Sequence, residues 1–401
     1  MANEIFLAKT FAGFENLLQK ELENCGAKHI VLLNRSVQFE GDLQFLYKVN
    51  YCSRFASRVL WQVKEFYFDT NETFHKEIFS FPVEKFLSRS GTFAVSSTIS
   101  ESIFKTPLFA ALLTKDAICD RFREKYGERP DVDKENPEVQ FHVHIHKNHA
   151  LLYLDSSGES LHKRGYKVSN HPASINEITA AAMVALSGWD GTCDLIDPMC
   201  GGGTILIEAA MQALNIPAGY YREKFGFFKW LNFDRHTWKK IINEANINDD
   251  IPIDLYGYDY NPRFLGMAKA NVEKARLKDF ILLNKRDMRT LKPVRTPSMI
   301  IFNPPYGERL EMEDNNTFYK EIGDALKQNF PQCKAFLISS DTDALKHIGL
   351  KTCFKQNMFN GSLECKYYGY DLFSGKFAPT NKPHHGNYSI DSEHTAGEIE
   401  P

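Results

Sequence analysis

The chain has 401 residues, enough for about two to three domains, and its 43% apolar and 25% charged content is that of an ordinary globular protein. No run of about 18 apolar residues offers a membrane span. The formal charge of −3 arises in the polar tail 380–401, so no larger part is basic in bulk, and any nucleic-acid contact must come from local patches.

Eight scattered cysteines without CxxC spacing argue for reduced thiols in a cytoplasmic protein, not a disulfide framework or a zinc site. The start, Met1-Ala2-Asn3-Glu4, lacks the basic flank and apolar core of a signal peptide.

Residues 1–65 read as a small ferredoxin-like unit. Ile5–Leu7 suits a strand, and Phe14–Cys25 carries Phe14, Leu17, Leu18 and Leu22 at helical spacing before Gly26. Strands at His29–Leu33 and Ser36–Phe39 flank Asn34-Arg35, and a second helix follows at Asp42–Tyr51. Residues 66–168 form a second segment, with a strand at Phe93–Ile99 and a long helix at Leu108–Tyr126. That helix shows Lys115 and Arg121 among interleaved acids, which suits either RNA contact or a solvated face. Phe141–His146 alternates strictly, so His142, His144 and His146 share one strand face, a polar or RNA-facing surface more readily than a metal site. Ala150–Asp155 is a further strand. Leu161–Lys167 then mixes Lys163, Arg164 and Lys167 with Tyr166 and Gly165, suited to phosphate contact or to a domain linker.

Residues 169–379 alternate helices and strands. Helices are expected at 175–186, 205–214, 262–275 and 318–330, and strands at 194–197, 255–259, 281–283, 299–302 and 335–339. Asn360-Gly361 marks a hairpin between 353–358 and 362–373. The pattern is a doubly wound α/β sheet with a mixed edge, interrupted by an aromatic-rich insertion at Pro217–Trp238. The tail 380–401 has too few large apolar residues to fold.

Chemistry gathers where strands end. Asn303-Pro304-Pro305-Tyr306 follows the buried run Met299–Phe302, and the prolines force the chain out of the sheet. The Asn303 side-chain oxygen and the Pro304 carbonyl can accept the hydrogens of an exocyclic amine while Tyr306 stacks on its ring; the alternative is a strand-ending turn with a packed tyrosine. Asp197-Pro198-Met199-Cys200-Gly201-Gly202-Gly203-Thr204 lacks the spacing of a dinucleotide fingerprint and the Gly-Lys-Ser/Thr of a P-loop. An acid ahead of the glycines disfavours pyrophosphate and favours a cation, so S-adenosylmethionine fits. Asp259 is placed to take ribose hydroxyls and Asp287 to accept the adenine amine, with Met288 against the ring; each acid alone could be a helix cap or a surface charge. The cofactor set is Asp197, Pro198, Cys200, Gly201, Gly203, Thr204, Asp259, Asp287, Met288 and Asn303, with Cys200 a packing residue rather than a nucleophile.

The glycine loop, Gly257-Tyr258-Asp259, Asp287-Met288 and Asn303-Pro304-Pro305-Tyr306-Gly307 come in the order of the class I amino-methyltransferases. The stretches 93–97, 115–123, 160–167, 173–182 and 360–365 resemble THUMP-containing RNA methyltransferases, closest to bacterial enzymes that methylate the N2 amine of a guanine in large-subunit (23S) ribosomal RNA. The resemblance implies a Rossmann-like, seven-stranded methyltransferase domain behind ferredoxin-like and THUMP domains. It implies S-adenosylmethionine as cofactor, no metal, no membrane, and 23S rRNA or a large-subunit assembly intermediate as partner. Asn303, Pro304, Pro305 and Tyr306 would be catalytic, and Lys115, Arg121, Lys163, Arg164 and Lys167 would meet RNA. Some relatives carry a second C-terminal methyltransferase domain, where this chain ends without one. Rival readings are an adenine-N6 methyltransferase, a tRNA guanine-N2 methyltransferase, and a non-catalytic RNA-binding assembly factor.

Overall fold

The computed structural model describes residues 4–168, 174–248, 252, 254–305, 315–361 and 363–373. Tyr306, Gly307, Ser362, Ala173 and the tail lie outside these residues.

The N-terminal part is one eight-stranded sheet. Its strands are β1 (Glu4–Lys9), β2 (Lys28–Leu33), β3 (Ser36–Gly41), β4 (Arg58–Tyr67), β5 (Thr92–Ser100), β6 (Asp131–Val132), β7 (Val139–His146) and β8 (His149–Asp155), in the order β2-β3-β1-β4-β8-β7-β5-β6. Helices α1 (Glu15–Cys25), α2 (Leu43–Cys52), α3 (Asn71–Ser80) and α4 (Pro107–Tyr126) accompany it. Sequence periodicity did not reveal β4, whose alternation breaks at Gln62-Val63-Lys64-Glu65. This strand joins the two expected units: Trp61 pairs with Phe6 on one side and with Leu154 on the other. Residues 65 and 66 therefore lie inside a strand. Helix α3 was also unforeseen; Thr70 caps it with Thr73 in place of the usual acid.

The second sheet has the order β11-β10-β9-β12-β13-β15-β14. Its strands are β9 (Asp194–Asp197), β10 (Leu255–Asp259), β11 (Ile281–Lys285), β12 (Ser298–Phe302), β13 (Lys334–Ser339), β14 (Thr352–Asn360) and β15 (Leu363–Asp371). The first five are parallel, and β15 runs antiparallel to β13 as the second arm of the expected hairpin. Helices α5 (Glu177–Ser187), α6 (Thr204–Ala213), α7 (Arg235–Asn243), α8 (Pro262–Lys274) and α9 (Asn315–Asn329) complete the unit. The chain steps outward from β9 to β11 and then returns to β12 on the far side of β9. That reversal opens a crevice at the carboxyl ends of β9 and β12, where open α/β sheets bind ligands. The fold is the expected α/β one.

The aromatic insertion joins the two parts. Phe227 stacks on Tyr47 with ring centroids 4.4 Å apart, Trp238 meets Tyr51 edge-on at 5.4 Å, and Trp230 lies 5.9 Å from Trp61. Such pairs add about 0.5–1.5 kcal/mol each beyond simple burial. Gly165 lets the linker pass beneath: its φ is +100°, and a Cβ there would stand 2.2 Å from the Tyr221 carbonyl oxygen.

Candidate active site

Four strand ends meet at the crevice. Asp197 closes β9, Asp259 closes β10, Asp287 lies two residues past β11, and Asn303 directly follows β12. Parallel register holds them along one edge, since Asp197 pairs with Gly257 and Asp259 with Lys285.

The glycine loop is tied to this edge through its backbone. The Cys200 N–H donates to the Tyr258 carbonyl at 2.9 Å, and the Gly201 N–H donates to Asp259 Oδ2 at 3.0 Å. Asp259 Oδ1 accepts from the Asn261 N–H at 2.8 Å, so one carboxylate fixes both the loop and the start of α8. Gly201 and Gly203 take φ of 51° and 77°, and nothing lies within 4 Å of where a Gly201 Cβ would be. The backbone there faces open space that a side chain would fill. Asn271, buried on α8, ties the loop from beneath: its Nδ2 donates to the Gly202 carbonyl at 2.9 Å, and its Oδ1 accepts from the Val168 N–H at 2.8 Å. One side chain thus joins the linker to the loop, a role with no local sequence signal.

Asp197 is 1% exposed, and burial, reinforced by Asp259, pushes its carboxyl well above the usual carboxylate range. A cation beside it would restore the charged form. Burial also pushes the Cys200 thiol well above its ordinary value, which fits packing and not nucleophilic attack.

Asp287 and Met288 follow β11 as the sequence places them, and their surroundings bear on the adenine contact expected of them. Both Asp287 oxygens accept from the Arg289 guanidinium, at 2.6 to 3.2 Å, and this bonding holds the carboxyl below its usual range. An adenine amine would have to share that acceptor. Met288 is buried in a cluster with Ile196, Tyr256 and Tyr258, which leaves little surface for a ring. Tyr260, unremarked in the sequence, stands 69% exposed directly after Asp259 and offers an aromatic face at this edge.

Asn303 is half-buried, and its Oδ1 is fully buried without a hydrogen-bond partner among the described residues. A buried acceptor left unmade costs about 1–3 kcal/mol, so its retention needs a reason. Pro304 is buried beside it, and Tyr306 lies outside the described residues.

The expected RNA contacts separate by burial. Lys163 is 58% exposed and pairs, among the described residues, with Glu159 at 3.0 Å. Arg164, by contrast, is 1% exposed. Its guanidinium donates to the carbonyls of Leu161 (2.8 Å) and Arg54 (2.6 Å) and lies 3.5 Å from Glu208 on α6, which also accepts from the Tyr166 hydroxyl at 3.0 Å. Arg164 is therefore an internal brace, and its expected place among the RNA contacts is withdrawn. Lys167 is largely buried against Glu177 at 3.1 Å, Arg121 makes a two-point pair with Glu84 at 2.7 Å, and Lys115 pairs with Asp116 at 2.6 Å. Arg121 and its neighbours lower Glu84 to about 2. Among the three histidines, each Nδ1 meets a hydroxyl of β5: Ser96, Thr98 and Ser100, at 2.9, 2.8 and 2.9 Å. Burial and the Lys9 charge lower His142 to about 3, so it is neutral near pH 7. No metal-ligating group of three is found among the described residues, and none of their helices is long and apolar enough to cross a membrane.

Comparison with known proteins identifies the fold and the family. Residues 164–369 match the model of the RMKL-like methyltransferase domain, 68–155 the THUMP domain, and 5–60 the RlmL ferredoxin-like domain. A ribosomal RNA large subunit methyltransferase K/L of Desulfotalea psychrophila is 36% identical over 384 residues, covering 93% of this chain and 52% of that protein. The chain thus spans about half the length of the curated K/L relatives it matches. A Synechocystis protein named "Putative RNA methyltransferase slr0064" is 33% identical and covered over 97% of its length. Among solved structures, "SMU.472, a putative methyltransferase complexed with SAH" superposes with a TM-score of 0.84 at 29% identity, over 94% of this chain and 100% of that one. A structure titled as a predicted N6-adenine-specific DNA methylase from Listeria monocytogenes superposes equally well, at 29% identity over 93% and 97% of the two chains. With its central loop, acid series and strand-end Asn303 on a doubly wound sheet, the chain belongs to the RMKL-like methyltransferase-domain family, carrying RlmL-type ferredoxin-like and THUMP domains before that domain.

Proposed function

We propose that this chain is an S-adenosylmethionine-dependent RNA methyltransferase acting on the N2 amine of a guanine in large-subunit ribosomal RNA. The observation that carries the reading is the buried Asn303 Oδ1 at the switch-point edge, which has no partner among the described residues. The residues present suit the cofactor: an uncapped glycine loop with open space above Gly201, a buried Asp197 that favours a cation, and Asp259 at the next strand end. Asp197, Gly201, Gly203, Thr204 and Asp259 would hold it, and when bound it supplies a methyl group already activated on a sulfonium.

The protein's own task is then orientation. Asn303 Oδ1 and the Pro304 carbonyl accept the two amine hydrogens, which favours a pyramidal nitrogen whose lone pair is freed from the ring. These acceptors strengthen as positive charge develops on that nitrogen, and they are fixed in advance by the two prolines. A base must leave its stack to reach an acceptor this deep.

RNA is preferred over DNA because of the THUMP match and because the curated relatives are named as RNA methyltransferases. The Listeria protein, named as a predicted N6-adenine-specific DNA methylase, supports the rival, since an Asn303 acceptor suits an adenine amine as well as a guanine one. Transfer of labelled methyl to 23S rRNA, tRNA and DNA, followed by mass analysis of the nucleosides, separates the readings. N2-methylguanosine in 23S rRNA is expected; N6-methyladenine as the sole product would overturn the guanine assignment, and cofactor binding without transfer would point to an assembly factor.

A further inference from the structure

We propose that the cleft between the 159–167 loop, the 221–224 segment and the tip of the β14–β15 hairpin holds a single-stranded stretch of RNA flanking the target nucleotide. This rests on the reading of the chain as an RNA methyltransferase and assigns the surface on which its substrate lies. The cleft has a volume of about 910 Å³. Lys163, Lys167, Arg222, Lys224 and Lys274 line it against Glu159, Glu177 and Glu223, an excess of positive charge in a domain that is neutral overall.

Most of these charges are engaged. Lys163 and Lys167 pair with Glu159 and Glu177, and the Arg222 guanidinium donates to the carbonyls of Ser160, Lys163 and Glu159 at 2.7 to 3.0 Å. Lys224 and Lys274 differ. Both are exposed, neither has an ion pair among the described residues, and they come from unrelated elements, the aromatic insertion and the last turn of α8. A cation at a helix C-terminus has a local use in offsetting the helix dipole. Lys224 lies at no helix C-terminus and forms no close ion pair among the described residues, though its charge reaches Glu159, and it lines the same cleft.

The cleft adjoins the glycine loop. Ser174 on its wall lies 3.4 Å, hydroxyl to hydroxyl, from Thr204 at the start of α6. Just past Lys167, the Val168 N–H joins Asn271 and through it Gly202. A strand lying here would pass beside the loop that ends at Asn303's edge of the sheet. An open groove with cations along its walls is the usual way to hold a single-stranded nucleic-acid backbone, and a target base costs least to unstack where its neighbours are already single-stranded.

The test is the double substitution Lys224→Gln/Lys274→Gln in the full chain. Binding of a single-stranded RNA oligonucleotide and of its duplex is measured between 50 and 200 mM salt, with S-adenosylhomocysteine affinity by calorimetry as control. Losing two phosphate contacts should flatten the salt slope by roughly 1.4, so the fourfold salt rise would weaken binding about sevenfold less than in wild type. Cofactor affinity should be unchanged, and the duplex should bind more weakly than the single strand. An unaltered slope in a protein whose wild type methylates RNA overturns the cleft and leaves the proposed function standing. A wild type that neither binds nor methylates RNA removes both. Equal duplex binding with the same lysine dependence overturns the single-stranded assignment.

Discussion

The crevice edge and the 159–167 loop handle polar groups in opposite ways. At the edge, among the described residues, the Asn303 oxygen is buried with nothing to accept from and Asp197 is buried without a cation. In the loop, Arg164 is enclosed by carbonyls and Glu208, and Lys167 by Glu177. One region leaves its acceptor open at the edge where open α/β sheets bind ligands, at a cost in stability; the other uses most of its capacity on internal bonds, with Glu208 Oε2 and Arg54 Nη1 left buried without a partner among the described residues. The first is the pattern expected where a ligand must complete the structure; the second is how two parts of a fold are fixed to each other.

Breaking the brace should give the largest effect. Arg164→Ala removes the first of the two cations acting on buried Glu208, leaving Arg54, and removing one partner of a buried pair costs about 3–5 kcal/mol. The midpoint of urea unfolding should fall accordingly, while RNA salt dependence stays that of wild type wherever the variant is folded. An unchanged midpoint with a flattened salt slope would return Arg164 to the RNA surface.

Asn303→Ala comes next and should behave in the reverse manner. It removes no bond made among the described residues, so stability should hold or rise slightly. The single-turnover rate with saturating RNA and cofactor should fall about 10²–10³-fold, the usual loss for one preorganised contact to a charge-developing atom. A near-normal rate would mean that other groups hold the amine.

Much of the edge was legible because its signals are local. A short apolar run followed by two prolines, or by an acid and three glycines, fixes a strand end within a few residues of the chemistry. The brace was not legible, because Arg164 meets Glu208 only after 44 residues of intervening chain have folded. From sequence alone, Lys163, Arg164 and Lys167 are equivalent cations beside a tyrosine. The same limit explains β4, whose central place in the first sheet depends on partners at both ends of the N-terminal part, and Met288, whose neighbours in the core come from β9 and β10. The aromatic run 217–238 was visible as an interruption, but its use as the joint between the two sheets required Tyr47, Tyr51 and Trp61 from far upstream.

Asp259→Ala tests whether the edge is a cofactor edge at all. It removes the acceptor for the Gly201 and Asn261 N–H groups as well as the proposed ribose contact. S-adenosylhomocysteine binding by calorimetry should weaken by about 1.5–3 kcal/mol, the range for hydrogen bonds to a charged group. Asp259→Asn keeps one acceptor oxygen and should fall between. Wild-type affinity in Asp259→Ala would leave the acid as a loop anchor only.

Lys163→Gln should give the smallest effect and the cleanest contrast with Arg164. Its pair with Glu159 is exposed on both sides, and pairs of that kind contribute about 0–1 kcal/mol. The urea midpoint should therefore barely move. If the ammonium contacts a phosphate, the RNA salt slope should flatten by roughly 0.7, one single-strand contact's worth. Two neighbouring cations would then divide cleanly, the buried one acting on stability alone and the exposed one on RNA alone. A Lys163→Gln protein with an unchanged slope would mean that Glu159 already satisfies this lysine, and the proposed RNA path would have to rest on Lys224 and Lys274 without it.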